Sequence, residues 1–600
     1  MKQLYYSLHV LALACFSIPI TAGEIPQPRS IRSVNRVLTD TLNLRESTVT
    51  ADNRTFTAAT YSGVVPGSIW RALPGDTLRI RLNNLLPPNT DKDSVDQGNF
   101  PQRVNTTNLH THGLNVTPKD NGDNVLLSIL PGDSFDFEFV LPQHHAAGTY
   151  WYHPHHHTST YYQVASSLAG TIVVEDPNNP AITDPALRQY EDRVLMFSMF
   201  LIDTTTNAVA KPRRLSAATA FSPMVGYETP VLINGVYDGT MTMRPGEIQR
   251  WRMINATYEP MVSLRWLRID GTDTTAVPQH EIAVDGLYYP SAKTVDTVMI
   301  PTGARSDVLV TAPTGAGRYV VEFSTLNYSL EETAVRMAIE IVVAGEPVVP
   351  AMQLPTRLPE AIAKGSIKDE EITGSRELVF AIEPPKDISA DPTAVSRMFM
   401  INSAPFNHEV VNISVKIGDV EEWTINNTSD GYHPFHIHVN EFQVTEINGM
   451  AVNPPIWRDV LLLAPNSTYK IRHRFSDFDG KTVLHCHFLP HEDWGMMNMI
   501  EILPRTSSVN ERPWEEPLAF PNPAVGRYSQ ISVRVPDFLT SNELIATLHD
   551  ISGNEIARNV VAGGAGKTVF NVADAPAGTY YVRLTDGVRF SNTDMIVLVR

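Results

Sequence analysis

Pro74-Gly75-Asp76-Thr77-Leu78-Arg79-Ile80-Arg81-Leu82-Asn83-Asn84 reads as a tight turn followed by an alternating strand. Leu78, Ile80 and Leu82 fall on one face, Arg79 and Arg81 on the other, and the run ends in a polar cluster. The stretch returns as Pro245-Gly246-Glu247-Ile-Gln-Arg-Trp-Arg-Met-Ile-Asn255 and again as Ile417-Gly418-Asp419-Val-Glu-Glu-Trp-Thr-Ile-Asn426. The glycines stand 171 and 172 residues apart. A second element follows in every unit: Gly148-Thr-Tyr-Trp-Tyr-His153-Pro-His155, then Gly317-Arg-Tyr-Val-Val-Glu322, then Gly480-Lys-Thr-Val-Leu-His485-Cys-His487. One similar pair is coincidence; three copies at near-equal spacing, each with the same sequel, are a repeat.

Short alternating runs between Gly, Pro and Asn turns, with few helical periods, predict an all-β chain of sandwiches or barrels. The repeats occupy residues 40–178, 190–345 and 370–505, with Pro-rich stretches at 346–359 and 505–523. Residues 519–600 form a fourth, smaller unit with its own turn signals at Ser552-Gly553 and Ala577-Gly578, and a small β-sandwich is expected there.

At 600 residues the chain is long enough for several domains of about 100–200 residues each. Hydrophobic content of 42% and charged content of 19% exclude a disordered chain and a polytopic membrane protein. A net charge of −18 argues against broad nucleic-acid binding. Lys2 precedes a mostly apolar run from Leu8 to Ile20, and Thr21-Ala22-Gly23 offers a small-residue cleavage site. Residues 1–22 therefore read as a secretory signal peptide, too short to span a bilayer. Cys15 lies inside it; a lipoprotein signal at Leu13-Ala14-Cys15 is the alternative, but Ala12 stands where such signals usually carry Leu. Either way Cys486 is left without a disulfide partner.

Against 2 cysteines stand 19 histidines. Ten of them fall in four clusters: His110-Thr-His112-Gly113, His153-Pro-His155, His433-Pro-Phe-His436-Ile-His438, and His485-Cys486-His487 followed by His491. On a strand both histidines of a His-x-His face one side. Four such pairs converging offer enough imidazoles for about three metal ions. His153 and His485 each lie five residues after their unit's glycine, and the middle unit carries Glu322 and Ser324 instead. A cluster shared between the first and third units is expected. Cys486 must then point away from it, toward a second centre.

Two imidazoles, one thiolate and a weak axial Met describe a blue-copper electron-transfer site. His433, Cys486 and His491 supply the first three, and Met496, five residues beyond His491, is favoured over Met497 and Met499. Zinc also suits Cys and His, but a zinc site leaves the paired imidazoles unexplained. His144, His145, His156 and His157 extend the clusters and are expected to face solvent or neighbouring loops. His280, His408, His473 and His549 are assigned to surface or satisfied interior positions.

These motifs closely resemble those of the multicopper oxidases, in particular the three-domain bacterial laccase-like members, over residues 40–505. The resemblance implies three cupredoxin-like Greek-key β-barrels, four copper ions, and one-electron oxidation of a small donor coupled to reduction of O2 to water. It implies His433, Cys486, His491 and Met496 as type 1 ligands, and His110 and His436 at type 2 copper. For the type 3 pair it implies His112, His153 and His487 on one ion, and His155, His438 and His485 on the other. Glu492 matches a position that relays protons in bacterial members, with a solvated loop acid as the alternative. Asp123 falls where the family places an acid near type 2 copper, with Asp120 as a competitor.

Several departures bear on function. His156-His157 adds imidazoles to the second motif, and the segment from Phe399 to His433 holds only Met400, which tells against a dedicated cuprous oxidase. Phenols, aromatic amines or similar donors are the first reading; oxidation of Mn(II), Fe(II) or Cu(I), or a non-catalytic envelope copper protein, are the alternatives. The complete ligand set tells against the last, and the third repeat disfavours a two-domain nitrite reductase. Trp457-Arg458-Asp459 and residues 210–227 are candidate linings of a donor pocket over His433 and His491. Residues 519–600 resemble the C-terminal sorting domain of type IX secretion substrates, through Phe520-Pro-Asn-Pro523, Leu548-His-Asp550-Ile-Ser-Gly553, Pro576-Ala-Gly578-Thr-Tyr580 and Met595-Ile-Val-Leu-Val-Arg600. Asp594 replaces the basic residue that often precedes that final strand. The resemblance implies a partner in the type IX machinery and a secreted or cell-surface protein of a Gram-negative cell.

Overall fold

A computed structural model describes residues 23–599 except 52–53, 90–98, 100–102, 176–186, 188–189, 211–226, 316, 356–357, 359–365, 384–397, 505–518, 521–523, 526–529, 535–542, 551–553, 563–566, 573–574 and 586–593. The expected signal peptide with Cys15 thus lies outside the described residues, as does most of the candidate segment 210–227. The chain divides into two compact units, Met1–Arg505 and Thr506–Arg600.

The fold of the first unit follows from the repeated turn. In each copy the acidic side chain accepts the backbone N–H three residues earlier: Asp76 from Leu73 at 2.8 Å, Glu247 from Arg244 at 2.7 Å, Asp419 from Lys416 at 2.8 Å. Gly75, Gly246 and Gly418 take φ of +80°, +72° and +99°, a conformation that costs a side-chain-bearing residue about 1–2 kcal/mol. The strand that follows pairs in parallel with the strand opening its repeat. Thr77–Asn84 lies beside Val37–Ala51, Ile248–Asn255 beside Glu191–Met199, and Val420–Asn427 beside Gly374–Glu383. Its other edge takes an antiparallel partner: Ser134–Val140, Arg305–Thr311 or Ser467–Arg474. Each of these sheets packs on a second sheet that contains Gly148–His153, Arg318–Leu326 or Gly480–Cys486.

Alternation fills the space between the paired sheets. Leu78, Ile80, Trp70 and Phe137 share one core, Trp251, Met253 and Trp266 a second, and Trp423, Ile425 and Phe435 a third. The middle copy departs from simple alternation, since Ile248–Asn255 is buried at every position. Its outer face meets the first repeat: Ile254 packs with Ile69 and Trp151, while Arg252 bonds Asp192 and Thr149. The first repeat's sheet also crosses the expected boundary, taking in Ala208–Val209 opposite Thr57.

The second unit has a three-stranded and a five-stranded sheet over its own core of Ile531, Leu548, Phe570 and Val582. Among the described residues no helix is long and apolar enough to cross a membrane.

Candidate metal centres

Two clusters of buried donors lie on opposite faces of one strand end. His433 opens the strand His433–Ile437, Cys486 closes Gly480–Cys486, and the two strands run side by side with Phe435 opposite Cys486 and His436 opposite His485. The chain then turns into the short helix Leu489–Asp493, with Pro490 in its first turn, which carries His491 back over the thiol. Cys486 Sγ lies 3.4 Å from His433 Nδ1 and 3.6 Å from His491 Nδ1, and the two nitrogens are 3.2 Å apart. Burial pushes the His433 imidazole down to about 3 and His491 well below its usual value, so both rings are neutral. One sulfur and two imidazole nitrogens converging in a buried pocket form a mixed sulfur–imidazole donor set that suits copper. Met496 is buried in the same core as Cys486, and its backbone accepts the Cys486 N–H at 3.0 Å. Met497 and Met499 face the other way, packing with Val125 and Phe406.

His433 and His491 are 0% and 1% exposed. Ser429 Oγ lies 2.7 Å from His433 Nε2, and the Phe399 ring stacks on His491 at 4.3 Å with Trp494 behind it at 5.3 Å.

On the opposite face eight histidines meet, four from the first repeat and four from the third. The strand His110–His112 pairs with Gly148–His153, placing His110 opposite His153, and Pro154 carries the chain on to His155. His155 Nε2 and His438 Nε2 lie 3.1 and 3.2 Å from His485 Nε2, and His487 Nε2 lies 3.2 Å from His112 Nδ1. The rings of His110 and His438 stack at 3.9 Å, as do those of His112 and His436. The outward nitrogens are tied down: His110 to Asp123 at 2.8 Å, His436 to the Asp459 carbonyl at 2.8 Å, His153 to the Pro154 carbonyl at 2.9 Å, His485 to the Cys486 carbonyl at 3.0 Å. That fixes the tautomers and aims the other nitrogens inward. Inside, Nε2 of His110, His153 and His436 has no partner. Leaving such buried acceptors empty costs about 1–3 kcal/mol each, and cations would satisfy them. The residues therefore fit bound metal: His110 with His112 and His153, His110 with His436 and His438, and His155 with His438 and His485 each bring ligand atoms within 4.8 Å. No histidine comes from the middle repeat, where Glu322 pairs with Arg265.

Of the carboxylates beside this cluster, two were expected from the sequence. Glu492 Oε2 lies 3.2 Å from His485 Nδ1 and Oε1 lies 3.5 Å from His155 Nδ1. It is fully buried, and burial raises its carboxyl well above the usual range. Asp123 accepts from His110 Nδ1 and from Thr111 N at 2.7 Å, with burial pushing its carboxyl up to about 7 against those bonds. Its competitor Asp120 is exposed.

The outlying histidines divide. His144 is exposed beside Asp477 at 3.2 Å, His156 meets Ser128 and His157 meets Asn99. His145, expected at solvent or a neighbouring loop, takes the second place, buried and accepting the Asn115 N–H at 3.0 Å. His473, expected to be satisfied, is buried edge-on to Trp423 with neither ring nitrogen hydrogen-bonded. Asp459, a candidate for the donor pocket, stands instead beside His112 Nε2 at 3.5 Å, paired with Arg305. Sequence reading overlooked Arg305 and also Asp493, which accepts Thr158 N at 2.6 Å and Tyr161 N at 2.8 Å and so joins the first and third repeats. Arg305 had a signal: it stands opposite Ile254 where the other repeats place Ser134 opposite Asn83 and Thr468 opposite Asn426.

Comparison with known proteins agrees with this architecture. Multicopper oxidase family models match residues 99–179, 194–346 and 380–505, and a secretion system C-terminal sorting domain model matches 518–598. A multicopper oxidase of Staphylococcus aureus is 24% identical over 449 residues, covering 74% of this chain and 83% of its own. A laccase of Bacillus subtilis is 24% identical over 490 residues, covering 74% and 90%. Among solved structures, a multicopper oxidase from Campylobacter jejuni, described as a metallo-oxidase, superposes with a TM-score of 0.61 at 24% identity, covering 81% of this chain and 98% of that one. The McoA multicopper oxidase of Aquifex aeolicus gives 0.63 at 19% identity, covering 81% and 100%.

Proposed function

We propose, from the premise that this chain belongs to the multicopper oxidases, that it couples one-electron oxidation of phenolic or similar small donors to four-electron reduction of O2. That it is a copper-dependent oxidoreductase using O2 follows from the family. The observation that carries the finer reading is the strand end at Cys486, whose thiol joins one donor set while its two neighbours, His485 and His487, join the other.

In this reading His433, Cys486, His491 and Met496 hold a type 1 copper, and His110 and His436 a type 2 copper. His112, His153 and His487 hold one type 3 ion, and His155, His438 and His485 the other. Copper, when bound, supplies the one-electron chemistry and the binding of O2. The protein supplies the arrangement. Cys486 and its flanking histidines give a covalent path between the two centres. The buried cluster keeps bulk water away from the oxygen site. Glu492, between His485 and His155, holds a proton at its carboxyl oxygens within reach of the cavity where oxygen is reduced, and Asp123 orients His110 by accepting from its Nδ1. Phe399, stacked on His491, and Ser429, bonded to His433, cover the imidazoles that would hold the type 1 copper, so a donor would meet that layer first. The signal peptide and the C-terminal sorting domain together direct export through the type IX pathway to the cell surface or medium.

Copper reconstitution followed by visible spectroscopy and O2 uptake tests the reading, first with a phenol and then with Mn(II), Fe(II) and Cu(I). A thiolate-to-copper band and phenol-dependent uptake are expected, and both vanish in Cys486→Ser. Uptake that responds only to a metal ion would move the chain to the metallo-oxidases, as which the Campylobacter relative is described. Uptake that survives in Cys486→Ser would overturn the electron path.

A further inference from the structure

We propose that the carboxylate of Asp459, clamped by Arg305 of the middle repeat, is an additional copper ligand where His112 and His436 meet, so that the repeat that adds no histidine to the cluster shapes one edge of the oxygen centre. This rests on the copper reading above.

Four observations carry it. First, His112, His436 and Asp459 bring ligand atoms within 4.8 Å of one another, and Nε2 of both His112 and His436 has no hydrogen-bond partner. Second, Asp459 is rigidly aimed. Arg305 Nη1 and Nη2 donate to its two oxygens at 2.7 Å each, and Arg305 is itself fixed by donating from Nε to the Thr149 carbonyl at 3.1 Å. Asp285 completes the clamp by accepting from the backbone N–H groups of Arg305, Asp459 and Val460. Such a fork fixes both distance and plane.

Third, the charge does not balance. Arg305 faces the carboxylates of Asp459 and Asp285, while Arg458 faces Asp285 and Glu441 faces Asp459. Of these groups Arg305, Asp459 and Asp285 are buried, while Arg458 and Glu441 are half-buried. Two guanidinium groups thus stand among three acids, and a copper ion on the His112–His436 edge would add positive charge beside them. Fourth, the first repeat is built to leave room. Gly113, directly after His112, has φ +85°, and a Cβ there would lie 2.5 Å from Arg305 Nη2 and 2.6 Å from Asp459 Oδ2.

Neither acid nor guanidinium is needed to orient His436 through its side chain, since that ring bonds the Asp459 backbone carbonyl. A side-chain substitution therefore probes ligation separately from ring orientation. The test uses the full copper-loaded chain with Asp459→Asn, Asp459→Glu and Arg305→Lys. It reads the type 2 electron paramagnetic signal, the thiolate band, and copper retention against a chelator.

Asp459→Asn should alter the type 2 splitting and release copper from that centre about tenfold more readily, with the thiolate band intact. Arg305→Lys keeps the charge but loses the fork, and should shift the splitting in the same direction by less. If Asp459→Asn does not fold, Asp459→Glu, which displaces the carboxylate along one methylene, should still change the splitting. A wild-type signal and wild-type retention in whichever of these variants folds overturns the proposal. A wild-type chain that binds no copper at all instead overturns the oxidase reading beneath it.

Discussion

Glu492 touches ring nitrogens from two different repeats, 3.2 Å from His485 and 3.5 Å from His155. Removing its acidity while keeping its shape should therefore affect proton delivery and little else. Glu492→Gln is expected to lower O2 uptake at saturating donor by about 100-fold. The thiolate band should remain, and its bleaching by donor in the absence of O2 should keep the wild-type rate. Slower bleaching would mean that Glu492 supports the electron path instead. At this scale the histidines that converge were legible because His-x-His on a strand fixes which side chains share a face. Met496 was favoured over Met497 and Met499 by its spacing from His491, and of the three only Met496 packs in the core of Cys486. Arg305 and Asp459 were not legible as a pair, because they lie far apart in sequence and only tertiary packing joins them.

The repeated strand ends in an asparagine whose side chain does the same task three times. Asn84 Nδ2 donates to the carbonyls of Asn105 and Ile129, Asn255 to Pro260 and Ile300, and Asn427 to Gly431 and Ala464. Each amide closes the loop that leaves the strand, and the loop after Asn427 leads directly to His433. Truncation to Ala strands buried carbonyls at about 1–3 kcal/mol each. Asn84→Ala, Asn255→Ala and Asn427→Ala should lower the unfolding temperature by similar amounts, and Asn427→Ala alone should also broaden the thiolate band. Equal, unaltered bands in all three would show that the type 1 site does not depend on that loop. The turn and strand of each repeat were readable from the sequence, as was the polar end of the strand. The full burial of Ile248–Asn255 was not, because a strand enclosed between neighbouring repeats also buries Gln249, Arg250 and Arg252, held by a hydrogen bond from Gln249 to Glu247 and by ion pairs from the arginines to Asp307 and Asp192 that no local pattern reveals.

Two compact units with separate cores give the whole chain a way to report copper binding on itself. The core of Ile531, Leu548, Phe570 and Val582 draws on no residue before 505, and the metal donors all lie before it. Ligand that binds only the native state raises stability by RT ln(1 + [L]/Kd), about 4 kcal/mol at a thousandfold excess over Kd. For copper that increment falls entirely on the oxidase unit, where the ten clustered histidines and a thiol are buried together. Calorimetry of the full chain should therefore show two transitions. Stripping copper with a chelator should lower the oxidase transition by a few degrees, on the order of 1 °C per kcal/mol lost for a unit of this size, and leave the sorting-domain transition where it was. Restoring copper should return the first transition together with the thiolate band. If both transitions moved together, the two cores would be thermodynamically coupled, and the C-terminal unit would be part of the oxidase's stability as well as its export.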